Sequence, residues 1–281
     1  MANTEEREAI LNLRSFMLND ITEPAMKLLK TLFQRSCPFI YNIEFAINHN
    51  AFLIITRPDH RTLDPLDINL LWQFNADCTG DVLAFPINCF QDIPRTMPIR
   101  QKPGGFGHAN LVIVNRLLRT VEHFDPHGDR MNDLTIRQQT KFETAVEDLF
   151  IQGPWATFRY LPPRRLCPTI GAQNLLIEHG LDARIKDSCR VWCYHFLMER
   201  LRYPRRTAAA INQSILRRLK AGPLNERLDK FIMDFIVDLY RAINVAFEHR
   251  ETQICMRWPE TGRRYCVDKK PAAATKRRPA Y

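Results

Sequence analysis

The feature that most constrains this chain is a pair of apolar runs in GHANLVIVNRLLRTVEHFDPHG, residues 107–128. His108 opens the first run, residues 109–114, and Asp125 closes the second, residues 120–125, with Asn115-Arg116-Leu117-Leu118-Arg119 between them. Two strand-like runs with so short a break form a hairpin. A turn of two residues (Arg116, Leu117) or of four (115–118) gives the same register, which sets His108 directly opposite Asp125. Opposed side chains in such a pair stand about 4.5–5.5 Å apart at Cβ. At that separation a carboxylate can accept from Nδ1–H and leave Nε2 as the base. The competing reading is an ordinary hairpin whose polar ends meet water.

A nucleophile for such a pair lies in Asp187-Ser188-Cys189-Arg190-Val191-Trp192-Cys193. Asp187 or Ser188 suits a helix N-cap, and Val191, Trp192, Phe196, Leu197, Met198 and Leu201 recur at helical spacing until Pro204. Cys189 therefore sits at a helix start. Unpaired backbone N–H groups and the positive dipole end favour thiolate there, lowering a pKa that begins near 8.5. Cys193, one turn inward among Trp192, Phe196 and Leu197, suits a buried apolar role instead.

The order His, acid, Gln, Cys, with the Cys opening a buried helix, resembles the superfamily of SUMO proteases and adenovirus-type proteases. The blocks GHANLVIVN, TVEHFDPHG, CPTIGAQ and DSCRVWCYHFLMERL are similar to those of cysteine protease-like proteins of large DNA viruses, over residues 82–204. The resemblance implies a papain-like/adenain-like core of α+β class. In it a small mixed sheet packs beside the Cys-bearing helix, with N- and C-terminal helical extensions. It further implies His108 as base, Asp125 as its orienting acid, Cys189 as nucleophile, and Gln173 as the source of an oxyanion-hole amide. The implied activity is that of a thiol peptidase, needing no cofactor, whose substrates are viral polyproteins or ubiquitin-like conjugates. Two alternatives stand beside it: a catalytically degenerate protease-like binding or virion protein, and a Cys-dependent acyltransferase.

The chain departs from that pattern at three places. Ala109 stands where the superfamily often has Trp, so aromatic cover over the imidazole must come from elsewhere or be absent. Arg190 stands where glycine is usual and is expected to crowd the backbone amides of the oxyanion hole. Gln173 precedes Cys189 by sixteen residues, which makes residues 175–186 an insertion that loops out and returns.

At 281 residues the chain is long enough for one large domain with appended helices. The expected division is an N-terminal helical and mixed extension (1–80), a catalytic core (81–206), C-terminal helices packing on it (207–262) and a disordered basic tail (263–281). No apolar run reaches the roughly 18 residues that span a bilayer, and the N-terminus is acidic rather than signal-like. The expectation is a protein without membrane contact, in the host cytoplasm or nucleus or in the virion. Eight cysteines without framework spacing should all be reduced there, and without a C-x2-C pair they do not suggest zinc. The tail carries seven Lys or Arg against Asp268, giving +6 of the net +9. Arg263-Arg264 and Lys276-Arg277-Arg278 are spaced like a bipartite import signal, so an import receptor or DNA is the expected partner of the tail.

Hydrophobic periodicity supplies the remaining elements. Two helices are expected within residues 5–35, a strand at 51–56, and a helix starting near Asp64-Pro65. A strand at 82–90 contains Pro86, which argues for an edge or a bulge. A flexible lead-in at 98–107, a helix at 133–150, a strand at 156–160 and helices at 208–221 and 225–250 follow.

Overall fold

The computed structural model describes residues 22–39, 43–48, 51–56, 64–65, 68–91, 107–131, 134–180, 189–223, 226–227, 235, 239, 253–257 and 264–268. The expected first N-terminal helix, the lead-in at 98–106, most of the helix at 225–250 and the tail beyond Asp268 lie outside them. A mixed sheet packs beside the helix that carries Cys189, as the sequence led us to expect, and it spans eight strands.

In chain order the elements are α1 (Thr22–Leu32), β1 (Ser36–Pro38), β2 (Ile43–Asn48), β3 (Ala51–Thr56), β4 (Asp64–Pro65), α2 (Ile68–Asp77) and β5 (Val82–Gln91). Next come β6 (Gly107–Asn115), β7 (Thr120–Phe124), α3 (Ile136–Ile151), β8 (Arg159–Leu161), α4 (Pro163–Leu166), α5 (Ala172–Glu178), α6 (Cys189–Arg202) and α7 (Ala208–Lys220). A separate antiparallel pair, β9 (Gln253–Arg257) with β10 (Arg264–Asp268), follows. The large sheet runs β4-β3-β2-β5-β6-β7-β8, with β1 also on β5. Strands before residue 81 thus share one sheet with those after it. No described helix is long and apolar enough to cross a membrane.

Side chains alternate across a sheet with period two, and here both faces are covered. Val82, Ala84, Leu111 and Ile113 pack with α1, α6 and α7, whereas Leu83, Phe85, Ile87, Val112 and Val114 pack with Phe142, Val146 and Phe150 of α3 and Leu71 of α2. Helix α6 is buried from Cys189 to Arg200, including four charged or polar side chains. Ionised groups in such a place require partners. Arg200 donates to both Glu122 oxygens, at 2.7 and 2.8 Å, and Glu199 pairs with Arg218 at 3.3 Å.

Several expectations are corrected. Pro86 lies in a central strand, not at an edge or bulge. β1 covers Val82 to Ala84 of β5 and β2 covers Ile87 to Gln91, so Pro86 falls in the gap between them, where a missing N–H costs no ladder bond. Asp64-Pro65 forms the short strand β4, and the helix starts at Ile68. Residues 175–178 do not loop out; they continue α5, and Leu175 and Leu176 are core residues. The cysteines are not all reduced: Cys37 and Cys78 form a disulfide. Nor is the chain unstructured from residue 263, because the strand-favouring sequence Arg264–Asp268 pairs with Gln253–Arg257.

The His108 hairpin forms with a register shifted from the expected one. Asn115 pairs with Thr120 and Leu111 with Phe124, so the turn comprises residues 116–119. Asn115 stays in the strand because its Oδ1 accepts from Leu118 N–H at 3.0 Å and its Nδ2 donates to Pro204 O at 2.8 Å. Arg119, at φ 52°, supplies the left-handed residue that turns the chain back. Extended from these pairs, the register sets His127, not Asp125, opposite His108. The shift is two residues, so Asp125 keeps its face and becomes a diagonal neighbour of His108, still within side-chain reach.

Candidate active site

His108, at the start of β6, donates from Nε2–H to Asp125 Oδ1 at 2.9 Å, and both residues are buried. This reverses the nitrogen assignment expected from the sequence. The two-residue offset carries the carboxylate away from the His108 backbone, to the distal ring nitrogen. The Cys189 side chain hydrogen bonds to the same imidazole. Asp125 Oδ1 also accepts the His127 backbone N–H at 2.8 Å. The structure therefore brings His108, Asp125 and Cys189 into one hydrogen-bonded chain.

Electrostatics favours the charged forms in that chain. Burial, the strongest influence on His108, opposes its charge, but the Asp125 carboxylate and the hydrogen bonds to Asp125 and Cys189 raise its pKa to about 10. Burial also opposes the Cys189 thiolate. Contact with His108, an Ala109 backbone hydrogen bond and the Arg190 charge outweigh it and lower the thiol below its ordinary value. Asp125 is lowered despite burial, chiefly by His108 and His127. Cys193, Cys167 and Cys89 are pushed up by burial. An imidazolium–thiolate pair able to attack a carbonyl and protonate its leaving group is the chemical content of this arrangement.

The departures noted in the sequence have structural counterparts. The His127 ring packs edge-on against His108, with centroids 4.3 Å apart, and supplies the aromatic neighbour that Ala109 does not. Burial and the His108 charge lower His127 to about 4, so a neutral ring meets the imidazolium. The small Ala109 lets α6 approach β6 closely: its backbone hydrogen bonds to Cys189 and accepts from Cys193 Sγ at 3.6 Å. Arg190 sends its guanidinium to Asn88 Oδ1 on β5, at 3.0 Å. His127, Asn88 and the Ala109 backbone were missed by sequence reasoning. His127 had a signal, since it lies only two residues past Asp125.

Gln173 joins the site through the backbone. Its N–H donates to Pro126 O at 3.1 Å, Gly171 N–H donates to His127 O at 2.8 Å, and Asp129 N–H donates to Pro168 O at 2.9 Å. These three bonds stitch residues 168–173 to the turn that holds Asp125. The Gln173 side chain is buried, and its Oε1 has no hydrogen-bond partner among the described residues. Gly171 is required by proximity, because a Cβ there would collide with Pro126 O, Gly128 N and His127 C. Gly171→Ala should cost about 1–3 kcal/mol of stability through overpacking. It should also slow Cys189 alkylation, because relief must displace the Asp125 turn; chemical denaturation beside an alkylation rate tests both effects. Among the described residues no cluster of three or more His, Cys, Asp or Glu is placed to hold a metal ion.

No family model matches the chain, and no curated protein matches it. Among solved structures it is similar to the Chlamydia trachomatis effector protein ChlaDUB1, at 14% identity over 91% of this chain and 94% of that one, with a TM-score of 0.46. It is also similar to the Chlamydia trachomatis effector protein Cdu1 bound to ubiquitin, at 13% identity over 87% and 93% of the two chains, with a TM-score of 0.36.

Proposed function

We propose that the chain is a cysteine peptidase acting on protein substrates, with Cys189 as nucleophile, His108 as proton shuttle and Asp125 as the acid that orients it. The observation that carries this reading is the buried chain of hydrogen bonds from Cys189 through His108 to Asp125. The thiolate attacks the scissile carbonyl, the carbon–nitrogen bond breaks, and the His108 imidazolium gives its proton to the departing amine. The resulting thioester is hydrolysed when neutral His108 takes a proton from the attacking water, and the thiol returns as the carboxylate product leaves. The Gln173 amide and backbone N–H groups at the start of α6 are the proposed oxyanion donors.

The substrate class follows from the sequence blocks around these residues: polyprotein junctions or ubiquitin-like conjugates. The anchoring of Arg190 on Asn88 favours an active site over a degenerate one, because the side chain is tied to β5. The test is to incubate the protein with fluorogenic ubiquitin-like conjugates and with peptides cut after small residues. Release by wild type but not by Cys189→Ala supports the peptidase; turnover that requires acetyl-CoA would make it an acyltransferase. Labelling by a C-terminal electrophile with no turnover of either kind would leave a binding protein.

The pH profile has a stated sign. The rate should rise from acid as Cys189 ionises below the ordinary thiol value and fall again through about 10 as His108 loses the proton owed to the leaving group. A pH–rate profile with no alkaline fall would remove His108 from that role. For the basic clusters of residues 263–278 we propose nuclear import. Deleting residues 269–281 should abolish nuclear accumulation while Cys189 stays reactive; loss of salt-sensitive DNA binding alone would instead assign the tail to phosphate contact.

A further inference from the structure

The sheet face that carries His108 and Asp125 holds two more buried polar side chains, Asn110 of β6 and His123 of β7, which the chemistry proposed above does not use. His123 Nε2 lies 3.2 Å from Asn110 Oδ1, and its Nδ1 lies 2.9 Å from the hydroxyl of Tyr160 on β8, which is also buried. Burial lowers the His123 pKa to about 4 and keeps the ring neutral, so one nitrogen donates and the other accepts.

The ladder sets Asp125 beside this group. Leu111 pairs with Phe124, and the next pair along the same register is Asn110 with Asp125. Directly opposed side chains stand about 4.5–5.5 Å apart at Cβ, which brings an amide and a carboxylate within reach of one hydrogen bond. The two atoms that could make it are buried and have no partner among the described residues: Asn110 Nδ2, a donor, and Asp125 Oδ2, an acceptor. His108 and the His127 backbone N–H both donate to the other oxygen, Oδ1. The carboxylate also decides which way the Asn110 amide faces, with its amino end toward Asp125 and its carbonyl toward His123. His123 therefore donates from Nε2–H to Asn110 Oδ1 and accepts the Tyr160 hydroxyl at Nδ1. Catalytic hydrogen bonds are often long before substrate binds and shorten in the complex. We propose that Asn110, oriented by His123 and Tyr160, is a positioning residue that gives Asp125 Oδ2 its hydrogen bond and so fixes the carboxylate against His108. The proposal rests on the assignment of Asp125 as the acid that orients His108.

The test is an NMR titration of the Asp125 carboxyl carbon, assigned by its loss in Asp125→Asn, with kcat and KM measured on a conjugate substrate alongside. In the wild type Asp125 lies below the ordinary carboxylate value. A donated hydrogen bond favours the charged form, so Asn110→Leu should raise the Asp125 pKa by about one pH unit or more. Its kcat should fall by about tenfold with KM little changed, the mark of an interaction spent on the chemical step. Tyr160→Phe, which removes only a hydroxyl, should move both quantities the same way by less. An Asp125 titration unmoved in Asn110→Leu would overturn the proposal and leave Asn110 a packing residue. A shift in His127→Phe but not in Asn110→Leu would overturn it too, by giving the donor role to that ring. Should Asn110→Leu fail to fold, an unmoved titration in Tyr160→Phe would overturn the proposal equally. The titration needs no substrate, so absence of peptidase turnover would defeat the functional reading while leaving this result intact.

Discussion

Replacing Cys189 with serine is expected to abolish peptide hydrolysis, a loss on the order of a thousandfold or more, while Cys193→Ser retains measurable turnover. The two residues lie one helical turn apart, and both are buried. Their surroundings differ. Cys189 hydrogen bonds to the His108 ring and lies below its ordinary pKa, whereas Cys193 gives its S–H to the Ala109 carbonyl and is pushed up by burial. A serine hydroxyl at 189 would not ionise beside the imidazolium, so the attacking anion disappears with the sulfur. Steady-state kinetics on one conjugate substrate checks the ranking; greater loss at Cys193 would reassign the nucleophile.

Asp125 and Glu122 should separate function from stability. Asp125→Asn removes the charge that sustains the His108 imidazolium, so kcat should fall by about 10²–10⁴. The alkaline limb of the pH profile should retreat from about 10 toward the ordinary histidine range near 6.5. Glu122 lies on the opposite face of β7 and holds the buried Arg200. Glu122→Ala therefore leaves an uncompensated guanidinium under the sheet and should cost about 3–5 kcal/mol of stability. Its alkaline limb should stay in place, since nothing between His108 and Asp125 changes. Urea melts and pH–rate profiles of both variants decide the matter, and equal kcat losses with equal retreat of the limb would defeat the assignment of Asp125.

The grouping of His108, Asp125 and Cys189 was legible because each sits at the end of a strongly patterned element, and ends are where a sheet and a helix meet. The register was not. Whether Asn115 belongs to the strand or the turn depends on its bonds to Leu118 and to Pro204, the latter 89 residues away, and on a left-handed arginine that no pattern announces. The error was two residues, and the even count kept Asp125 on the face of His108. An error of one residue would have pointed it at α6. Pro86 was misplaced for a related reason: the pattern showed a strand but not that two short parallel strands would share one side of it. The Cys37–Cys78 disulfide was illegible because its partners are 41 residues apart and meet only when β1 lies along β5. Arg190 read as an obstacle because its acceptor, Asn88, is 102 residues away in sequence.

The most direct test of the central claim is site-resolved alkylation at neutral pH, with wild-type protein and His108→Ala treated side by side with limiting iodoacetamide and mapped by peptide mass spectrometry. A thiolate sustained by His108 predicts that, among Cys89, Cys167, Cys189 and Cys193, modification falls on Cys189 first and slows by at least about tenfold in His108→Ala. Preferential modification of Cys167 or Cys193, or a Cys189 rate indifferent to His108, would contradict it.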